Sequence, residues 1–375
     1  VATIPAHIAS LPGMPVLVLQ GGGAMGSYQA GVFAALDEAG YCPEVVAGIS
    51  IGAINGALIA GNPPERRCER LMTFWERITG SPALSWVASD VGGNQQAEGL
   101  RHQWAAAATA LAGAPGFFRP RWPWLPNWWP GQVALYDTGA LKATLEQLVD
   151  WDLLNSGAVR FAVGAVNVET GNFTYFCSEQ QRLDVRHVMA SGALPPGLPP
   201  VEIDGQLWWD GGLVSNTPLD HVLDHDDDDD LTIFQVDLFP ARGARPNTLE
   251  EVEERAADIR FSSRTRFTTD AQARLNGPRR AWARLAAKLP PELRDSADAQ
   301  LLDRLARGRR AVVAQLVYRD QPWQGTAKGR EFSRATMMMH WRHGEADVAA
   351  MLERGGWAKL PDGPGVWSFD ATAQP

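Results

Sequence analysis

The chain has 375 residues, enough for roughly two or three domains and a sizeable buried core. It is 45% apolar and 21% charged with a net charge of −9, and no apolar run approaches the roughly 18 residues of a helical membrane span; a helical membrane protein is excluded and nucleic acid is not an expected partner. Cys42, Cys68 and Cys177 are widely spaced, so they form neither a disulfide framework nor a metal-ligand pattern, and they fit a reducing compartment.

Residues 14–50 read as two strands joined by a helix: PVLVLQ is apolar, GGGAMGS breaks it, YQAGVFAALDEAG has helical spacing, and PEVVAGIS is a second apolar run. This is a βαβ unit with a parallel sheet, and it puts Ser50 at a strand-to-helix turn. Helical patterns follow up to a break at Gly61-Asn62-Pro63-Pro64 and resume after it. From about 81 to 131 the order is lost. Five of the 15 tryptophans fall between Trp104 and Trp129, and the Pro-Trp stretch 117–131 suits neither a helix nor a central strand, so an insertion loop or cap is expected here.

Regular structure returns with a helix in TGALKATLEQLV, capped by Asp137 and Thr138. A hairpin of VRFAVGAVNVET and NFTYFCS then turns at Gly171-Asn172. DVRHVMASGAL is helix-like and LTIFQVDLF is a strand of the buried parallel kind. The aspartate run 226–230 invites a metal reading, but consecutive like charges in a loop are solvated far more often, and no metal is expected. Beyond residue 244, TLEEVEERAADIRFSSRTRF and AQLLDRLARGRRAVVAQLV have helical periodicity, and the residues after 360 read as a loose tail.

Gly21, Gly23 and Gly26 satisfy the dinucleotide pattern G-x-G-x-x-G between a strand and a helix. That reading needs an acidic residue closing the second strand to hold the ribose, yet this strand closes on Ala47-Gly48-Ile49-Ser50, and Glu44 lies at its other end. The alternative is a nucleophile elbow. Gly48-Ile49-Ser50-Ile51-Gly52 matches G-x-S-x-G, where Gly48 and Gly52 permit the tight turn that lifts a serine hydroxyl onto a helix N-terminus. Amides of Gly21, Gly22, Gly23 and Ala24 lie on the neighbouring turn, unobstructed by bulky side chains, and suit an oxyanion. None of the seven histidines sits in a triad-like context. The candidate base is Asp210, on the turn Asp210-Gly211-Gly212 after Leu207-Trp208-Trp209, where desolvation by the tryptophans would raise its pKa.

Together QGGGAMG, GISIG and the block ASGALPPGLPPVEIDGQLWWDGG with its SNTP continuation resemble the bacterial patatin-like phospholipases, in that family's order. The resemblance implies a three-layer α/β/α sandwich with a mainly parallel central sheet. It implies a catalytic domain over 14–243 that carries the 81–131 cap, a helical region over 244–345, and a C-terminal segment and tail over 346–375. It further implies a Ser-Asp dyad acyl hydrolase without cofactor: Ser50 as nucleophile, Asp210 as base, and the Gly21 to Ala24 amides as oxyanion hole. Met25 departs from the pattern, because many members carry Arg or Lys there. The expected partner is a lipid or another hydrophobic ester, phospholipid or lysophospholipid first and a storage polyester or neutral lipid second. A nucleotide-binding module and a non-catalytic lipid-surface protein stay open as other classes, and oligomeric state is not specified. Trp122, Trp124, Trp128 and Trp129 suit either an interfacial lid or a packed cap. The expected location is the cytoplasm, peripheral to a membrane.

Overall fold

The computed structural model describes residues 11–81, 95–121, 133–224, 229–306, 310–319, 325–355, 360 and 363–372. Strand β1 (Met14–Leu19) turns through the glycine loop into α1 (Gly26–Glu38), and β2 (Val45–Gly48) turns at Ser50 into α2 (Ile51–Ala60). Helix α3 (Pro64–Ile78) opens with Pro64 at its first position and Glu65 in its first turn, as the missing N–H and the helix dipole favour. Its Leu71, Phe74, Trp75 and Ile78 recur at helical spacing and are fully buried.

Helix α4 (Gln95–Ala112) lies inside the stretch expected to be irregular. Its run Ala105-Ala106-Ala107-Ala108 is strongly helix-forming, a local preference that the surrounding Trp, Pro and Gly obscured. The short pair β3 (Arg119–Pro120) and β4 (Tyr136–Asp137) closes this excursion, followed by α5 (Gly139–Leu148) and α6 (Trp151–Leu154). Thr138 stands at the N-cap of α5, but the carboxylate that accepts from the helix start is that of Asp137. Strands β5 (Arg160–Asn167) and β6 (Phe173–Cys177) form the expected hairpin. Then come α7 (Val185–Ser191), β7 (Val201–Ile203), β8 (Gln206–Asp210), α8 (Leu219–Leu223) and β9 (Leu231–Asp237).

The C-terminal region carries α9 (Leu249–Ala286), α10 (Pro291–Arg294), α11 (Ala297–Ala306), β10 (Arg310–Val317), α12 (Arg334–Arg354) and β11 (Gly365–Asp370). Two expectations are corrected here. The second half of the expected helix 299–317 is β10, whose Ala311, Val312, Val313 and Ala314 are buried; a strand covered on both faces has no alternation to set it apart from a buried helix. The stretch after residue 360, expected to be a loose tail, instead carries β11, which pairs in parallel with β10. Asp230, expected to be solvated, forks onto the Arg310 guanidinium and ties the start of β10 to the start of β9.

The nine-stranded sheet runs β11-β10-β9-β1-β2-β5 in parallel, with β6, β8 and β7 antiparallel at one side. Helices cover both faces. Val16, Val18, Ile233 and Val313 point to the side of α8, whereas Leu17, Leu19, Phe234 and Val236 point to the side of α1, α2 and α12. The C-terminal region is bound into this core by a contact between two glycines. A Cβ on Gly31 of α1 would overlap the Trp341 carbonyl of α12, and one on Gly344 of α12 would overlap the Tyr28 carbonyl of α1, so the two backbones touch. Tyr28 Oη, fully buried, donates to Asp347 of α12 at 2.7 Å across the same contact.

Gly31→Ala and Gly344→Ala should each push the two helices apart and cost about 1–3 kcal/mol. Chemical denaturation would show this as a lowered midpoint at unchanged slope, and an unchanged midpoint would mean that the contact is slack.

Candidate active site

The register of β5 explains how the site forms. A strand residue can pair on two edges, and β6 occupies one edge of β5 from Ala162 to Val166. On the other edge β2 pairs Val45 with Arg160 through Gly48 with Val163 and then stops. The vacated continuation is taken by β8, running the other way, with Asp210 opposite Ala165 and Trp209 opposite Val166. Carrying the register of β2 two residues further places Ser50 level with Ala165, where Asp210 ends its strand. Glycines permit the crowding, since a Cβ on Gly164 would meet Ile49 at 2.6 Å and one on Gly211 would meet the Gly164 carbonyl at 2.5 Å.

Ser50 has φ 56° and ψ −120°, the left-handed side of φ that a serine adopts only when its surroundings impose it. Here they do. Ile49 N–H donates to the Leu19 carbonyl, Ser50 N–H donates to Ser191 Oγ at 3.0 Å, and Ser50 O accepts from Ala53 and Ile54 of α2. A Cβ on Gly48 would overlap the Gly52 carbonyl, and one on Gly52 would overlap the Leu19 carbonyl, so both elbow glycines are required by close packing. The helices α1 and α2 both start beside this point with no acidic residue in their first turns, so two positive helix ends face the same space.

Asp210 is 2% exposed, and burial pushes its pKa up to about 7. The Gly212 N–H, which donates to the carboxylate at 2.7 Å, and the neighbouring Ser50 hydroxyl oppose that rise. Its backbone is held by the Ala193 carbonyl. Trp208 is buried edge-on against Phe176, and Trp209 is half-buried. No histidine bonds to Ser50 or Asp210 among the described residues. His340 is instead buried behind the glycine loop, where its ring meets Ser27 Oγ and the Ala24 carbonyl, and burial lowers its pKa to about 3.

The glycine loop is not a uniform row of free donors. Gly21 N–H donates to the Asn216 carbonyl and Ala24 N–H donates to the Gly329 carbonyl, which leaves the N–H groups of Gly22 and Gly23 between them. Gly23 sits at φ 60°, and a Cβ there would overlap the Gly329 carbonyl. Met25 is fully buried in the core, a setting in which an apolar side chain replaces charge without leaving a gap.

Several residues that hold this loop were not singled out from the sequence. Asn216 Nδ2 donates to the Gly21 carbonyl at 3.0 Å, so Asn216 holds Gly21 at both of its backbone groups. Gln20, fully buried, accepts from Leu238 and Phe239 N–H and donates to Thr217. Gln29 donates to the Gln20 carbonyl, Asn55 donates to Gln29 and to the Gly26 carbonyl, and Trp75 donates to Asn55. Buried amides of this kind are tolerated only when bonded, and the signal for them was polar residues inside otherwise apolar, helix-period runs. Trp122, Trp124, Trp128 and Trp129 lie outside the described residues. Trp104 does not, and it is 66% exposed on α4.

Comparison with known proteins identifies the family. The profile of the family described as patatin-like phospholipase matches residues 17–223, more than half of the chain, and a second, described as patatin phospholipase, matches residues 259–363. The chain belongs to the patatin-like phospholipase family, whose members are carboxylic ester hydrolases. It is 26% identical over 219 residues, 57% of its length, to lysophospholipase NTE1 of Mycosarcoma maydis, and 59% identical over 44 residues, 12% of its length, to lysophospholipase nte1 of Aspergillus terreus. The matches span 9% and 3% of those proteins, so the chain is similar to a small part of each. The crystal structure of VipD from Legionella pneumophila aligns with 90% of this chain and 68% of its own at 12% identity and a TM-score of 0.37.

The raised pKa of Asp210 makes a prediction about stability. Between the ordinary carboxylate value near 4 and the folded value of about 7, the folded chain holds this proton more tightly than the unfolded one, so stability falls as pH rises through that window. Asp210→Asn has no proton to lose. Its stability relative to the parent should therefore grow from pH 4 to pH 7, by up to ~1.4 kcal/mol per pH unit, and level off above. Melting temperatures of both proteins across that range would check it, and a constant difference would contradict a raised Asp210 pKa.

Proposed function

We propose that this chain hydrolyses carboxylic esters of lipids, phospholipid or lysophospholipid first, through an acyl-enzyme on Ser50 with Asp210 as general base. What carries the reading is one juxtaposition: a serine held at positive φ over a helix N-terminus, its hydroxyl beside a buried carboxylate whose pKa of about 7 suits proton transfer at neutral pH. The family and the lysophospholipase relatives support the substrate class.

Ser50 Oγ attacks the ester carbonyl carbon while its proton passes to Asp210. Negative charge gathers on the former carbonyl oxygen, which the N–H groups of Gly22 and Gly23 and the positive end of α1 receive. The tetrahedral adduct collapses, the C–O bond to the leaving alcohol or lysolipid breaks, and Asp210 returns its proton to that oxygen. Water then attacks the acyl-Ser50 ester with Asp210 taking its proton, and the second collapse releases the fatty acid and restores the serine. This role assignment narrows the oxyanion donors within the loop to Gly22 and Gly23, because Gly21 and Ala24 spend their N–H groups elsewhere.

Lipid esters are presented in aggregates, so the face around Ser50 must meet an interface. Leu194, Leu213 and Val214 are exposed on the segments next to Ser191 and Asp210, and Leu111, Val133 and Leu135 are exposed on either side of the tryptophan-rich stretch. Trp122, Trp124, Trp128 and Trp129, which lie outside the described residues, are proposed as lipid contacts from their chemistry alone, since indole favours a half-wet setting.

Two experiments test these assignments. Ser50→Ala should abolish fluorophosphonate labelling and lower ester turnover by at least about 10⁴-fold, and Asp210→Asn should lower turnover comparably. In the parent, kcat/KM should rise with pH through about 7 as Asp210 ionises and then level; substantial turnover in either variant would overturn the dyad. Replacing the four tryptophans together by alanine should weaken binding to phospholipid vesicles and spare hydrolysis of a short soluble ester. Parallel loss of soluble-ester activity and melting temperature would show a packed cap instead.

A further inference from the structure

An oxyanion site is effective only when its donors already point at the place where charge develops, and glycine is the residue least able to hold a direction unaided. Gly22 and Gly23 must therefore be held from both sides. Upstream, Asn216 fixes Gly21. Downstream, the peptide groups of Ala24 are gripped by residues far along the chain, its N–H by the Gly329 carbonyl at 3.0 Å and its carbonyl by His340, and locally its carbonyl also accepts from Ser27 Oγ at 3.1 Å.

The neighbour of Gly329 explains why that carbonyl stays in place. Lys328 is 3% exposed, and its ammonium lies 2.7 Å from Asp258 Oδ1 and 3.3 Å from Glu254 Oε1 of α9, over the ring of Phe239. On the other side of Gly329, the buried Glu331 carboxylate accepts from Ser333 N–H at the start of α12. Gly329 thus sits between two buried anchors. Burying an ammonium is costly unless it is paired, so the chain has a strong preference for the one arrangement in which Lys328 meets both carboxylates.

We propose that Lys328 is a positioning residue for ester hydrolysis: pinned by Asp258 and Glu254, it fixes the Gly329 carbonyl against Ala24 and so aims the Gly22 and Gly23 N–H groups at the Ser50 adduct. The C-terminal region is then a working part of the active site that touches no substrate. The inference rests on the reading of Ser50 and the glycine loop given above, and it adds to that reading the group that holds the loop.

The test compares Lys328→Met, Lys328→Arg and Asp258→Asn with the parent protein on a short p-nitrophenyl ester. A trifluoromethyl ketone, which forms a charged tetrahedral adduct with a nucleophilic serine, reports on the oxyanion donors alone. In Lys328→Met, kcat should fall about 10–100-fold with KM little changed, and affinity for the ketone should fall by the same factor. Lys328→Arg keeps the charge and should stay within about threefold of the parent on both measures. If Lys328→Met does not fold, Asp258→Asn is read the same way, since it keeps size and one acceptor oxygen. Parental kcat and ketone affinity in a folded Lys328→Met or Asp258→Asn would overturn the proposal, as would a loss of activity that follows melting temperature while ketone affinity is unchanged. Fluorophosphonate labelling separates the two levels: if Ser50→Ala still labels, the dyad fails, whereas labelling confined to Ser50 alongside parental Lys328 variants sinks only the positioning role.

Discussion

One strand ends early, and the site follows from that. β2 pairs with β5 only as far as Gly48 and Val163, which leaves unpaired backbone on β5 at the level where the chain leaves β2 for α2. Exposed strand backbone must find partners, and β8 supplies them from the opposite direction. Two strand ends therefore meet head-on along one edge. Ser50 and Asp210 are the residues at those ends, so their approach is set by backbone pairing and not by flexible side chains reaching across a cleft. The positive φ of Ser50 is the local cost of this arrangement, and the bond from its N–H to Ser191, the tight elbow glycines and the first turn of α2 together impose it.

The same geometry sets the electrostatics. A carboxylate as buried as that of Asp210 is pushed towards its neutral form, and the Gly212 N–H and the nearby Ser50 hydroxyl moderate that push. Asp237, at the end of β9, shows what burial does elsewhere in the sheet: its pKa is also pushed up to about 7, and the side chain bonded to it is that of Gln235. Burial alone does not make a base. What distinguishes Asp210 is the serine hydroxyl beside it.

Much of this was legible in the sequence where local chemistry is specific. Glycine-rich turns between apolar runs located the βαβ unit, the elbow and the loop, and Asp210 stood out because a carboxylate on a glycine turn after two tryptophans is unusual. The sequence was less informative wherever tertiary context decides. β10 reads like a continuation of α11 because both of its faces are buried, and α4 was hidden among residues that discourage helices. Asn216 stood in a quoted motif without a role, since only the fold shows that its backbone and side chain both grip Gly21. Lys328 offered no signal at all: a lysine is ordinarily a surface residue, and nothing near it in sequence announces the two carboxylates some 70 residues earlier that bury it.

The contact between Gly31 and Gly344 also bears on the order in which the molecule becomes competent. Ser50 and Asp210 belong to the earlier part of the chain, and during synthesis they leave the ribosome well before Gly329, His340 and α12. Ser50 and Asp210 can thus be paired while the loop beside them is held only by its earlier partners, and only when α12 docks on α1, glycine against glycine, does the Ala24 peptide acquire its distant partners Gly329 and His340. On the proposed reading, the nascent chain completes its oxyanion donors only once α12 has been made.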